Sequence, residues 1–152
     1  MTKRLLLGLL LVLIAIQFVR PPLNRSNASP SADDFIVKFA PPPELAGMLR
    51  HGCYDCHSND TRYPWYSRVQ PVAWWLASHI NDGKRRLNFS VFGSYDRKRQ
   101  AKKLDQIADQ VSNREMPLGS YTWIHRDAHF TDAQIRALTD WIDAQTDKVE
   151  TP

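Results

Sequence analysis

The sequence predicts an all-α fold of about four helices joined by long loops, preceded by an apolar N-terminal helix. Three observations predict it. Apolar residues recur at helical spacing in four segments, no stretch alternates apolar and polar residues over the length of a strand, and residues 5–19 form one nearly unbroken apolar run. The 152 residues suffice for one domain plus a leader, and no internal repeat is visible.

Leu5 to Val19, interrupted only by Gly8 and Gln17, follows Lys3 and Arg4, which is the pattern of an export signal. Residues 1–20 are read as a signal anchor. A cleaved signal peptide is the alternative, with Ser26-Asn27-Ala28 offering small residues to a peptidase from beyond Pro21-Pro22. At about 1.5 Å per residue the run falls short of the roughly 30 Å bilayer core, so its flanks would have to help it span. Both readings export the rest of the chain, and the anchor holds it at the periplasmic face of the cytoplasmic membrane.

Residues 21–43 are rich in Pro, Ser, Asn and Ala, and read as a semi-extended tether. The domain proper is expected over residues 44–147. Its first helix runs from Glu44 to His57, with Leu45, Met48 and Leu49 on one side. A second covers Val69 to Asn81 and stops at Asp82-Gly83. A third covers Asp96 to Ser112, with Leu104, Ile107, Ala108 and Val111 as its buried stripe. The last opens on a capping-box pattern, Thr131 with Gln134, ahead of Ile135, Leu138, Trp141 and Ile142. Irregular connections are expected at 58–68 and 113–130.

The net charge of +4 belongs to the leader. Lys3, Arg4, Arg20 and Arg25 fall in the first 25 residues, which hold no acid, leaving 16 basic against 16 acidic side chains. A near-neutral domain gives no support to a nucleic-acid partner.

Cys53-Tyr54-Asp55-Cys56-His57 carries the chemistry, because C-x-x-C-H is the attachment signature of c-type haem. On one helical turn, residues three and four apart share a face, so both thiols and the imidazole can address one planar ring. Cys53 and Cys56 would make thioether links to the porphyrin, and His57 would ligate iron. A chance match is one competing reading, a C-x-x-C redox pair a second, and the βαβ setting that such a pair normally occupies is missing. A zinc site using His125 and His129 is a third, but the spacing is far longer than a zinc finger allows, and His57 would be left without a role.

Met116, followed by Pro117 and 59 residues after His57, is the sixth-ligand candidate: a thioether opposite an imidazole raises the reduction potential. His79, His125 and His129 compete for that position. Met48 is less suited, since it precedes the motif on the same helix. An open position would point toward peroxide chemistry or gas or redox sensing.

From Cys53 onward the chain resembles the bacterial haem-binding domain family of single-haem c-type cytochromes. The resemblance rests on Cys53 to Asn59, Arg62-Tyr63-Pro64-Trp65-Tyr66, Gln70 to Trp75, His79-Ile80, Leu87-Asn88-Phe89, Met116-Pro117 and the capped helix from Thr131 to Trp141. It implies one covalent haem on Cys53, Cys56 and His57 and an exported location, and the reading adopted is a class I cytochrome c-like domain. Met116 is carried over by its similarity to the Met-Pro loop of class I cytochromes c.

Trp65, Tyr66, Trp74, Trp75 and Trp123 are many large rings for one small domain. Core packing is the plainer reading of each, and contact with a haem the sharper one. Lys84, Arg85, Arg86, Arg97, Lys98, Arg99, Lys102 and Lys103 fall within 20 residues, while the chain after Arg126 is mainly acidic. That segment is either a solvated helix face or a surface that steers a redox partner carrying an acidic patch. No catalytic acid or base stands out, so the expectation is an electron carrier rather than an enzyme. A haem peroxidase or sensor, and an interaction module with a structural haem, are the rivals.

Overall fold

Phe35 and Phe92 are fully buried, and around them the rest of the core assembles. The computed structural model describes residues 2–151, and among these eight α-helices and no β-strand are found. The all-α class is as expected. The helices are α1 (Thr2–Ile16), α2 (Phe35–Phe39), α3 (Pro43–Gly52), α4 (Tyr54–His57), α5 (Val72–Arg86), α6 (Arg97–Ser112), α7 (Gly119–Thr122) and α8 (Asp132–Glu150).

The long helices form where local signals agree. Asp96 caps α6 by accepting the Arg99 N–H, and Leu104, Ile107, Ala108 and Val111 form its buried stripe. Thr131 and Gln134 complete the capping box of α8, which lays Leu138 and Ile142 on the α6 stripe.

Four boundaries differ from expectation, each for a physical reason. The stretch read as tether ends in the core: Asp34 caps α2 through the Ile36 and Val37 amides, and Phe35 lies 4.9 Å from each of Phe39, Phe89 and Phe92. The expected 44–57 helix breaks at Cys53 (φ −126°, ψ −46°), which ends α3 through its N–H to Leu49 and starts α4 through its carbonyl to the Cys56 and His57 amides. The second helix begins after Pro71 and runs through Asp82-Gly83 to Arg86. Gly83 is a contact rather than a stop, because a Cβ there would lie 2.7 Å from the Cys56 carbonyl oxygen.

The fourth difference concerns the leader. Its 15 residues in α1 cover about 22 Å at 1.5 Å per residue, and no helix among the described residues is long and apolar enough to cross a membrane. A spanning helix is therefore not supported. The leader's exit is nevertheless bonded to the domain. Val19 O accepts the Gln70 Nε2–H (2.7 Å) and the Trp74 indole N–H (3.0 Å), and Asn24 Nδ2 donates to Ser58 O (2.9 Å).

Candidate functional site

α4 is one turn of helix, and it carries Cys56 and His57 one turn beyond Cys53. The His57 ring is oriented from the far side: its Nδ1 lies 3.1 Å from the Leu87 carbonyl at the end of α5. A carbonyl can only accept, so this bond puts the ring proton on Nδ1 and leaves the Nε2 lone pair free for a metal. Burial lowers the His57 pKa against the opposing pull of the Leu87 and Gly83 backbone, which keeps the ring neutral.

Cys53 and Cys56 are free, half-buried thiols. Burial pushes the Cys53 thiol up to about 12, helped by Cys56, and the Cys56 thiol up to about 11, helped by Asp55. A redox-active C-x-x-C needs the opposite, a depressed thiol, and a sheet to carry it. Neither is present among the described residues.

The two residues between the cysteines are both anchored. Tyr54 stacks on Phe89 with ring centroids 5.1 Å apart, and its hydroxyl donates to the buried Asp34 carboxylate at 3.0 Å. Asp55, only 6% exposed, accepts the Arg62 amide (3.1 Å) and guanidinium (2.9 Å) and the Tyr121 hydroxyl (2.7 Å). Tyr121 in turn stacks on His125 at 4.2 Å, and His125 Nε2 lies 2.6 Å from the Tyr66 hydroxyl. Burial, then the Asp55 bond, raises the Tyr121 pKa, so this phenol stays protonated.

Met116 sits half-buried in the loop after α6. Arg114 takes a left-handed conformation (φ 56°), which swings the chain so that the Glu115 and Met116 amides both return to Gln110 O. The next residue closes the loop on the end of α3: a Cβ on Gly52, immediately before Cys53, would lie 3.0 Å from the Pro117 ring. The Met-Pro loop thus packs one residue from the cysteine motif.

Two of the three histidine rivals, His79 and His125, have other partners. His79 packs edge-on against Trp75 at 4.4 Å, and His125 is held by Tyr66 and Tyr121. Among the described residues no group of three or more His, Cys, Asp or Glu gathers as a metal cluster, so the zinc set is not assembled.

A model of the haem-binding domain matches residues 11–144. The chain belongs to the haem-binding domain family. No curated protein and no solved structure matches it. The residues present fit the group that this haem-binding domain takes. Two thiols and one imidazole with a free Nε2 lie on a single turn, and Trp65 and Trp123 are each 81% exposed. Trp65 is joined to the motif through Tyr66, His125, Tyr121 and Asp55, and the Trp74 indole bonds to Val19 O.

Sequence reasoning missed Asp55, Arg62, Tyr121 and the Leu87 carbonyl. Asp55 did leave a signal, since a carboxylate on a turn that packs into the domain needs a partner.

Proposed function

We propose that this domain holds one haem c through Cys53 and Cys56, ligates its iron with His57 and Met116, and passes single electrons outside the cytoplasm. The observation that carries the reading is the His57 ring, whose Nδ1 is held by Leu87 O so that Nε2 remains for iron. The bound group would supply a one-electron iron couple. The chain supplies the rest. Leu87 and Gly83 orient the imidazole, Tyr54 and Asp55 fix the turn that presents both sulfurs, and the Pro117 contact at Gly52 holds the Met116 loop near the motif.

Electron exchange needs a partner, and the cationic segment supports a protein with an acidic patch. Lys103 is destabilised as a cation by burial first, then by Arg99, Lys102 and Arg86, so these charges crowd together. None of the four forms a salt bridge among the described residues, and Lys103 also acts on the His57 imidazole. A positive face beside the proximal ligand would speed encounter with an acidic partner and lose that effect in salt. The export pattern and the apolar α1 support a location at the outer face of the cytoplasmic membrane.

The test is the protein purified from its own membranes. A mass increase of one haem that survives denaturation, absent from the Cys53→Ala, Cys56→Ala double variant, supports covalent attachment. A low-spin spectrum that turns high-spin in Met116→Ala, with a lower potential, supports the sulfur ligand. A high-spin wild type would instead support peroxide chemistry or sensing, and a colourless protein would end the proposal.

A further inference from the structure

Between the leader's exit and the start of α5 lies a cleft of about 290 Å³ whose wall brings together Arg20, Arg25 and Arg68. No carboxylate lines it. Among the described residues none of the three guanidiniums forms a salt bridge or donates a hydrogen bond, and Arg25 rests over the Tyr63 ring at 5.7 Å. The Tyr63 hydroxyl accepts the Asn24 N–H at 2.7 Å, so its own proton is free to be donated.

The segment that builds this wall is fixed at both ends. Val19 O is held by Gln70 and Trp74, and Asn24 O accepts the Thr61 amide (3.0 Å) while its Oδ1 accepts from Lys84 (2.6 Å). Arg20 therefore follows directly on the last apolar residue of the leader, only four residues beyond the end of α1. Leu5 through Ile14 are exposed along that helix with no protein cover. An apolar helix in a membrane, whether upright or lying in the interface, would bring its exit to the level of the lipid headgroups. Three arginines gathered there suit a phosphate, whose oxygens accept the paired guanidinium donors.

We infer that this cleft binds the phosphate of an anionic phospholipid and so seats the domain against the membrane surface; the inference rests on the membrane-held location proposed above. It accounts for a leader too short to span by itself, because the domain would be held by headgroup contacts as well as by α1.

The haem-loaded full chain, extracted from membranes in mild detergent, tests it. Its intact mass first shows whether residues 1–25 are retained. Native mass spectrometry then compares added phosphatidylglycerol with phosphatidylcholine. Both lipids carry the phosphate, but the choline cation of phosphatidylcholine would lie against the three guanidiniums, so phosphatidylglycerol should be retained about tenfold or more over it. That preference should vanish in R20Q/R25Q/R68Q and weaken in R68Q alone, with haem content unchanged in both. Equal retention of the two lipids, or displacement of phosphatidylglycerol by an equal concentration of inorganic phosphate, would overturn the inference. A mass lacking the leader would instead overturn the membrane-held reading beneath it.

Discussion

Tyr54 and Asp55 are neighbours between the two cysteines, yet they are held by different physics. Tyr54 enters an aromatic cluster in which Phe35, Phe89 and Phe92 are packed ring to ring, with one hydrogen bond to Asp34 at its end. Asp55 enters a polar chain on the loops, where a carboxylate, a guanidinium and a phenol satisfy one another and a second phenol meets the His125 imidazole. The first side gains by removing apolar area from water, which is non-directional. The second side gains only if every partner is present, since a buried polar group without one costs more than the bond contributes. The same helical turn is thus fixed to a rigid core on one side and to an adjustable loop on the other.

The most severe way to break this contrast is Phe35→Ala. It removes a fully buried ring that meets four others, and should cost about 3–5 kcal/mol of global stability by urea unfolding. A cost under 1 kcal/mol would mean that α2 is not part of the core.

Gly83→Ala comes next. The added Cβ meets backbone at Cys56 O, which cannot yield as a side chain could, and a loss of about 1–3 kcal/mol is expected together with less attached haem.

Asp55→Ala should cost about 1–3 kcal/mol, and its signature should be local. Amide exchange should quicken across residues 119–125 while the α6 and α8 amides keep their protection. Equal loosening of both regions would abolish the distinction drawn here.

The smallest effect is a pH dependence. Tyr54 and Tyr121 both have raised pKa values, chiefly through burial, so the folded state keeps protons that the unfolded chain releases. The stability they contribute is complete below about pH 10, the unfolded tyrosine value, and declines as the pH rises beyond it. Tyr54→Phe and Tyr121→Phe should each flatten the alkaline limb, and an unchanged limb in both would remove the phenols from the account.

Much of this architecture was legible because its signals are local. The Thr131 capping box, the Leu104 to Val111 stripe and the C-x-x-C-H turn each lie within a few residues of sequence. What escaped depends on partners far along the chain. Phe35 sits in a segment whose Pro and Ser content reads as linker, and only Phe89 and Phe92 reveal it as core. Gly83 carries the usual meaning of a helix stop, and only the approach of Cys56 shows why a glycine stands inside the helix. Tyr121 meets Asp55 across 66 residues of chain.

Helix α5 joins two of these contacts. Trp74 near its start is bonded to Val19, and Gly83 near its end rests on Cys56. Nine residues of helix, about 14 Å at 1.5 Å each, separate them. The helix therefore acts as a ruler, setting how far the cysteine turn stands from the point where the leader enters. Lengthening it by one turn would add about 5 Å to that standoff without altering the turn itself.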